Sequence, residues 1–392
     1  MEHALGKTAE ETRRWLLERG LFDQLAAQIR RPLLPLPDNF SAPTRMPWGG
    51  KKILTEYKQQ LPIRPEKRYP IVGESWEISA DPLAPSEIVF SIGQDAISID
   101  FIQLLDLFPA EILGEQVAQK FDGQNPILVK LIDAADHLSV QVHPSDEYAG
   151  LKPDESGKPE SWYILEAEPG CGLYLGLREG VSRASLREAI EREEDVSRLL
   201  NFVEVRSGDF FVIEAGTIHA IGAGVTLIEP QKIAPKRSGK TYRLWDWNRR
   251  YDAQGRKDPH GAPRELHVDD SFRVIDFDGR RGDAFVRQIR SPQPIMRQNG
   301  ASVERLCAET PHFGVSQLVL QDGNALEQTC AASFHGLVVY EGEVEIRHGG
   351  RALTTVPRGQ SAIIPAAMGA YALTARHAKA VKVYYPAQFL DR

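Results

Sequence analysis

Alternation of apolar and polar residues runs through most of the chain and predicts a mainly β protein. Short runs rich in β-branched residues are separated by Gly, Pro and Asp, a pattern typical of antiparallel strands joined by turns. In the first half of the chain such runs lie at 86–92, 97–102, 126–132, 138–143, 161–166, 171–176, 210–214 and 224–229. A second block of the same character extends from about residue 312 to 386. We therefore expect two related β-barrels.

Helical periodicity is predicted in two places. Apolar residues recur at helical intervals over 8–30, and the Pro-rich segment that follows predicts an extended linker. The sequence Ser185-Leu-Arg-Glu188 has the form of a capping box, which predicts a helix to about 194, with a shorter helix near 195–201. These features divide the chain into an N-terminal helix and linker (1–46), a β domain with a helical insertion near 182–203 (47–305), and a C-terminal β domain (306–392).

Composition and charge narrow the classes of function. Of the 392 residues, 42% are hydrophobic and 26% are charged, which is ordinary for a globular protein. The 47 basic and 54 acidic residues leave a net charge of −7, so we expect no nucleic-acid partner. Any anionic ligand must therefore be held by a local cluster of basic residues.

Cysteines and apolar runs indicate the compartment. Cys171, Cys307 and Cys330 are widely spaced and form no CxxC pair, which argues against a cysteine zinc site and against a disulfide framework. The N-terminal residues lack the apolar stretch of a signal peptide, and no run of about 18 apolar residues suggests a membrane span. We expect a cytoplasmic protein that does not associate with membranes.

Four side chains from three predicted β segments could bind one metal ion. In a strand over Leu138–Pro144, Ser139, Gln141 and His143 share one face. Glu160 opens a later strand, and His219 follows a tight Ala-Gly turn. Taken singly, these residues could be a solvent-facing polar strand, a surface carboxylate and a structural histidine. Taken together, two imidazoles, a carboxylate and an amide oxygen suit a divalent cation with an exchangeable position.

Several motifs in this region resemble one enzyme family. They are Pro47-Trp-Gly-Gly50, Gly73-Glu-Ser-Trp-Glu-Ile-Ser79, Pro126-Ile-Leu-Val-Lys-Leu-Ile-Asp-Ala134, Leu138-Ser-Val-Gln-Val-His-Pro144, Glu160-Ser-Trp-Tyr163, Gly216-Thr-Ile-His-Ala-Ile-Gly222 and Thr241-Tyr-Arg-Leu-Trp-Asp-Trp247. In their order over roughly 47–250 they resemble type I phosphomannose isomerases, which belong to the cupin superfamily, although the segment from Glu229 to Arg243 is a few residues longer than that family's pattern. The resemblance implies two cupin-type jelly-roll barrels and the interconversion of mannose 6-phosphate and fructose 6-phosphate.

The resemblance also implies roles for particular residues. It implies Zn²⁺ as the cofactor, with Gln141, His143, Glu160 and His219 as its ligands, and it implies Arg243 and Lys130 as active-site residues. Aldose–ketose isomerisation passes through an enediol, whose developing oxyanions need cations or donors nearby. The planar guanidinium of Arg243 suits an enediolate or a phosphate.

Further site residues can be suggested from their chemistry and position. Glu229 follows an apolar run and is a candidate for proton transfer. Ser139, Glu74 and Lys240 are candidates for substrate binding. The basic residues of the following loop are candidates for phosphate binding: Lys232, Lys236, Arg237 and Lys240. Each of these residues could instead be an ordinary surface group or a member of a surface ion pair.

The second β block contains fewer candidate metal ligands. It contains His335, but Ala366-Ala-Met-Gly-Ala-Tyr371 follows Pro365 without a second histidine, so we expect this domain to be metal-free and structural. Two alternatives to the isomerase remain open. One is a sugar- or metal-binding protein without catalysis. The other is a cupin metal oxygenase, because two histidines and a carboxylate can also bind iron, although Gln141 argues somewhat against it.

Overall fold

The N-terminal segment contains two helices and a short strand. The computed structural model describes residues 2–3, 8–92 and 95–390. The elements of this segment are β1 (Glu2–His3), α1 (Ala9–Glu18) and α2 (Phe22–Gln28). The single helix predicted over 8–30 is wrong, because the chain turns at Gly20 with φ of +66°. Glycine adopts this left-handed conformation without steric cost, and the helix ends there.

The predicted linker is part of the packed fold. Three of its residues form isolated antiparallel bridges to distant strands: Leu33 to Ile363, Pro35 to Ile88, and Phe40 to Ser75. Leu33 and Phe40 are also buried. We call residues 33–40 the N-terminal strap, since they connect several sheets.

The first β unit contains most of the predicted strands. Its strands are β2 (Glu74–Ile78), β3 (Glu87–Ile92), β4 (Asp95–Asp100), β5 (Ile127–Ala134), β6 (Val140–Val142), β7 (Glu155–Ser156), β8 (Glu160–Ala167), β9 (Gly172–Leu177), β10 (Leu200–Glu204), β11 (Phe210–Ile213), β12 (His219–Ile221), β13 (Val225–Lys232), β14 (Ser238–Gly239) and β15 (Tyr242–Trp245). One sheet has the order β10–β9–β12–β6–β15 and the other β11–β8–β13–β5–β2. Apolar residues of both sheets form a shared core that includes Leu175, Trp162 and Leu227. The two sheets therefore pack face to face, and we call them the N-terminal sandwich.

Helices cover or flank this sandwich. They are α3 (Phe101–Leu107), α4 (Pro109–Leu113), α5 (Glu115–Lys120), α6 (Arg183–Glu191), α7 (Val268–Val274) and α8 (Gly282–Ile289), with short turns of helix at Ile53–Tyr57, Pro65–Lys67 and Val196–Leu199. The strand predicted over 97–102 ends at Asp100, whose side chain accepts a hydrogen bond from the Gln103 amide and caps α3. The capping box of α6 is formed by Ser182 and Ser185, so this helix begins three residues earlier than predicted.

The C-terminal sheet forms the second β unit. Its strands are β16 (Ile295–Asn299), β17 (Ser302–Glu309), β18 (Gly314–Gln321), β19 (Leu326–Thr329), β20 (His335–His348), β21 (Arg351–Pro357), β22 (Ser361–Ile364), β23 (Ala370–Thr374) and β24 (His377–Tyr384), with short turns of helix at Ala366–Met368 and Ala387–Phe389. The strand order is β16–β17–β18–β24–β20–β23–β19, and β21 and β22 also pair with β20. Strand β17 crosses the predicted domain boundary at 305–306, so this sheet begins before it.

The expectation of a mainly β fold is confirmed, whereas the assignment of both units as cupin jelly rolls stays a prediction. Outer residues of β5 and β8, such as Val129 and Tyr163, join a large apolar cluster with Val315 and Val383 of the C-terminal sheet. The two β units therefore share a buried interface. Among the described residues, no helix is both long and apolar enough to cross a membrane.

Candidate metal centre and active site

Strand alternation directs the candidate ligands into the N-terminal sandwich. On β6, Val140 and Val142 are fully buried in an apolar cluster beneath α6 and α7. Gln141 therefore points to the opposite side, into the space between the sheets, and His143 follows just after the strand. His219 begins β12, the antiparallel neighbour of β6, and lies opposite Gln141 in register.

Glu160 joins these residues from the facing sheet. It begins β8, and its side chain is completely buried. Its Oε2 lies 3.2 Å from Nε2 of His143, and its Oε1 lies 3.3 Å from Nε2 of His219. One ligand atom from each of the three residues lies within 4.8 Å of the others. This is a compact group that could hold a metal ion.

Backbone carbonyls orient both imidazoles. Nδ1 of His143 lies 3.1 Å from the carbonyl oxygen of Lys240, and Nδ1 of His219 lies 2.8 Å from that of Thr217. Since a carbonyl can only accept, each Nδ1 carries the proton and each Nε2 keeps its lone pair toward Glu160. A hydrogen bond from the ring nitrogen that does not face the metal is the usual way in which proteins orient a metal-binding histidine.

Gln141 is near the same centre. Its side-chain amide lies 3.3 Å from Nε2 of His219. The sequence-predicted ligands Gln141, His143, Glu160 and His219 are therefore brought together by the fold.

Burial keeps the two histidines neutral and the carboxylate ionised. Burial, together with the nearby Lys158 ammonium, lowers the pKa of His143 to about 3, and burial likewise lowers the pKa of His219. Burial acts to raise the pKa of Glu160, but the charge of Lys158 and the contact with His143 outweigh it and hold that pKa well below its usual value. Neutral imidazoles and an ionised carboxylate are the protonation states that bind metals.

The carboxylate oxygens of Glu160 could accept more hydrogen bonds than the described residues donate to them. They are buried, and Oε1 has no hydrogen-bond donor among the described residues. The Lys158 ammonium approaches Oε2 to 2.8 Å as an ion pair, yet the other lone pairs stay unmatched. A buried carboxylate in this state is costly unless it meets a cation, so the donor set fits a divalent metal ion.

Lys158 is a site residue that sequence reasoning missed. It is buried, and its Nζ also lies 3.3 Å from Nε2 of His143. Burial acts to lower the pKa of Lys158, but the charges of Glu160 and Glu229 raise it above its usual value, so the group is cationic. The available signal was its position two residues before Glu160, a spacing that places both side chains on one face of an extended segment.

Lys130 lies between two carboxylates beside this centre. Its Nζ is 3.7 Å from Glu74 Oε2 and 3.5 Å from Glu229 Oε2, and it lies 4.7 Å above the ring of Trp76. Trp76 Nε1 donates a hydrogen bond of 2.9 Å to Glu74. Burial and the charge of Glu160 raise the pKa of Glu229 to about 7. Glu229 can thus gain or lose a proton near neutral pH.

A cavity of about 240 Å³ adjoins these groups. Its lining includes Glu74, Lys130, Ser139, Gln141, Lys158, Glu229, Gln231, Thr241, Arg243 and Arg264. Arg243 lies opposite Gln141 in the β15–β6 pair, and its Nη1 donates to the Glu265 carbonyl at 2.9 Å. Its Nε is buried and has no partner among the described groups, so this guanidinium has a free donor beside the cavity.

The basic residues of the loop after Glu229 were expected to bind phosphate, but they do not line the cavity. The Lys232 ammonium pairs with Asp146, Lys236 lies 3.8 Å from Asp106, and Lys240 donates to Glu155 at 2.5 Å. None of these three lysines, nor Arg237, is among the residues that line the described cavity. Of the predicted substrate-binding residues, Ser139 and Glu74 line the cavity, whereas Lys240 instead offers its backbone carbonyl to His143.

Part of this chain is similar to a known protein family. Residues 41–166 match the family described as phosphomannose isomerase type I, catalytic domain. A mannose-6-phosphate isomerase of Streptococcus mutans is 35% identical over 230 residues, which cover 58% of this chain and 64% of that protein. A mannose-6-phosphate isomerase of Bacillus subtilis is 34% identical over 232 residues, with the same shares. The aligned part thus spans slightly less than two thirds of these relatives, and for this part the predicted resemblance is confirmed.

Solved structures share the fold over most of the chain. The crystal structure of a mannose 6-phosphate isomerase from Bacillus subtilis superposes with a TM-score of 0.71 at 23% identity, covering 91% of this chain and 100% of that one. A mannose 6-phosphate isomerase crystallised in a zinc-bound holo form gives a TM-score of 0.64 at 18% identity, covering 91% and 99%. At these identities the likeness establishes a common fold.

Proposed function

We propose that this chain, whose residues 41–166 resemble the type I phosphomannose isomerase catalytic domain, is a zinc-dependent aldose–ketose isomerase. Its proposed substrates are mannose 6-phosphate and fructose 6-phosphate. One observation chiefly supports the proposal: a buried His143–Glu160–His219 group beside a cavity with lysine and arginine side chains. Relatives with 34–35% identity that are named mannose-6-phosphate isomerase support the same reaction.

Four residues would hold the zinc ion: Gln141, His143, Glu160 and His219. Imidazole and carboxylate ligands suit Zn²⁺, and a related fold has been crystallised with zinc bound. A bound Zn²⁺ would supply a Lewis acid that polarises the substrate carbonyl.

The protein's own residues would move the proton. Isomerisation breaks the C2–H bond of the aldose, forms an enediol, and makes a new C1–H bond, so one group must take a proton and return it. Glu229 Oε2 is the proposed carrier, because it faces the cavity and its pKa of about 7 suits both directions near neutral pH. Trp162 Nε1 donates to the other oxygen of Glu229 at 3.2 Å and would hold the carboxyl group in position.

Cationic side chains would stabilise the developing oxyanions. Lys158 and Arg243 both line the cavity, and Nε of Arg243 has no partner among the described residues. Lys130 would restrain Glu74 and Glu229 through its two ion pairs. Such pre-oriented charges lower the barrier because they need no reorganisation during the reaction.

The proposal can be tested with the purified full chain. We expect zinc to co-purify, and a coupled assay should detect fructose 6-phosphate formed from mannose 6-phosphate. A chelator should abolish turnover, and added Zn²⁺ should restore it. His260→Ala, which removes an exposed histidine, should keep both metal and activity and serves as the control.

Other outcomes would decide against the isomerase. Metal without turnover of any hexose phosphate would favour a binding protein. Iron together with oxygen consumption would favour an oxygenase built on the same two histidines and carboxylate.

A further inference from the structure

The phosphate group of the proposed substrate needs cationic partners, but the lysines expected to bind it form ion pairs with carboxylates of the protein. Lys232 pairs with Asp146, and Lys240 pairs with Glu155. Within the cavity, Lys158 pairs with Glu160, and Lys130 lies between two carboxylates. The remaining cationic residues of the lining are Arg45, Arg243 and Arg264.

Arg264 is held rigidly at the cavity wall. Its Nε donates to Asp246 Oδ2 at 2.8 Å, and its Nη2 donates to Oδ1 at 2.6 Å. This two-point contact leaves the Nη1 amino group of Arg264 uncommitted to Asp246. A guanidinium oriented in this way can meet a tetrahedral oxyanion with little further loss of side-chain entropy.

The charges of the neighbouring groups balance one another, so the positive charge of Arg264 is not cancelled. Arg249 also donates to Asp246, at 2.6 Å, and to Asp136, at 2.8 Å, and Lys257 lies 2.5 Å from Asp136. The three cations of this network, Arg249, Lys257 and Arg264, face two carboxylates, so it has a net charge of +1.

Arg45 adds a further charge at the mouth of the cavity. It is exposed, and among the described residues no carboxylate pairs with it. Its neighbour Thr44 lies close to Gly255, in the loop between Asp246 and Arg264, and Arg45 lines the same cavity as Arg264. The carboxylates that line the cavity are Glu74, Asp81 and Glu229, and none of them belongs to the network around Asp246.

We infer that Arg264, positioned by Asp246, and Arg45 form an oxyanion subsite that binds the phosphate group of the substrate. The identity of that phosphate as part of a hexose phosphate rests on the proposed function. The anion-binding property itself does not, and it can be measured without turnover. The subsite would make the enzyme prefer phosphorylated sugars over free ones.

Binding of inorganic phosphate, measured by calorimetry at low ionic strength, tests the subsite directly. We expect Arg264→Gln and Arg45→Gln each to weaken phosphate binding by about tenfold or more, since each removes a charge-assisted contact. Arg256→Gln is the matched control, because Arg256 is an exposed arginine of the same loop that pairs with Asp252. It should bind phosphate like the unmodified protein.

Steady-state kinetics separate this inference from the proposed function. For mannose 6-phosphate we expect the KM of both variants to rise about tenfold or more, with the larger change in KM than in kcat. If the unmodified protein binds phosphate but does not turn over mannose 6-phosphate, the proposed function fails and the subsite stands. If neither variant changes phosphate affinity relative to Arg256→Gln, the subsite is overturned whatever the activity. Arg45 has no ion pair to lose, so Arg45→Gln keeps the test valid even if Arg264→Gln does not fold.

Discussion

The two β units bury similar polar side chains, but they use them in opposite ways. The N-terminal sandwich encloses Gln141, Lys158, Glu160 and two histidines. The C-terminal sheet encloses Glu304, Gln328, His335 and Lys382, all of which are buried. Residue types alone would therefore not distinguish a functional site from a structural one.

In the C-terminal cluster the partners are matched. Glu304 lies 2.6 Å from the Lys382 ammonium and accepts a hydrogen bond of 2.9 Å from Gln328. Lys382 donates in turn to Gln328 at 2.8 Å, and Nδ1 of His335 lies 2.7 Å from the hydroxyl of Tyr371. In the N-terminal cluster, by contrast, Oε1 of Glu160 has no donor among the described residues, and the Lys158 ammonium is the cation that approaches Oε2. Unused hydrogen-bonding capacity, not the presence of histidine or glutamate, therefore distinguishes the candidate site from the C-terminal cluster.

Removal of a metal ligand should have the largest effect. His219→Ala should lose metal and activity together, with turnover reduced on the order of 10³-fold or more, because Lewis-acid stabilisation of several kcal/mol disappears. Elemental analysis and the coupled assay provide the measurement. The corresponding change in the other cluster, His335→Ala, should keep the metal; a His219→Ala protein with full metal content would remove the distinction between the clusters.

A matched pair of lysine substitutions should affect stability in one unit and activity in the other. Lys382→Met leaves the carboxylate of Glu304 buried without its main counter-charge, so we expect a loss of about 3–5 kcal/mol in the free energy of unfolding. Lys158→Met should instead reduce turnover, by roughly 10²-fold, while zinc remains a cationic partner for Glu160. Denaturant unfolding and kcat should be measured for both proteins. Equal effects on both quantities would mean that the clusters do not differ in role.

Arg243→Ala should keep the metal but lose most of the turnover, by roughly 10²-fold, because it removes a fixed donor beside the reacting oxygens. The variant should show a normal zinc content and a normal melting temperature. An Arg243→Ala enzyme with an unchanged rate would exclude this residue from the active site.

The smallest expected effect is a dependence of stability on acid pH in the N-terminal unit. Burial acts to raise the pKa of Asp246, but its contacts with Arg264 and Arg249 outweigh this and lower the pKa below 3.8. A carboxyl group with a lowered pKa in the folded state stabilises the protein above its unfolded-state pKa, and this contribution is lost as the pH falls through the folded-state value.

The midpoint temperature of thermal unfolding of Asp246→Asn should therefore be lower than that of the unmodified protein at pH 7. The difference should shrink from about pH 5 downward, as the carboxylate is protonated in both folded and unfolded chains. A difference that stayed constant down to pH 3 would contradict this assignment.

Local patterns predict most of the strands, and the candidate ligands lie close together in the structure. Alternation over 138–144 places Gln141 and His143 on the face opposite Val140 and Val142, because successive side chains of a strand point to opposite sides. The turn that precedes His219 contains Gly216 with φ of +83°, which a glycine adopts readily. These features depend on neighbouring residues in the sequence, so the sequence is sufficient to recognise them.

Features that depend on distant partners were not predicted. Lys232 and Lys240 looked suited to bind phosphate, yet Asp146 and Glu155, far away in the sequence, pair with them. The sequence indicates Lys158 only weakly, because its role depends on Glu160 and His143 meeting across two sheets. The alternation of Ile97–Asp100 predicts a strand that continues to residue 102, and only the side-chain cap at Asp100 ends that pattern.

The N-terminal strap has a consequence for handling the protein. Its three bridges reach β3 and β2, which lie at the ends of their sheets, and β22, which pairs with β20. Exposed edges of β-sheets invite pairing with other molecules, and the strap covers backbone groups at these positions. Deletion of the first forty residues would expose these strand edges and favour self-association, although it would remove none of the proposed zinc ligands.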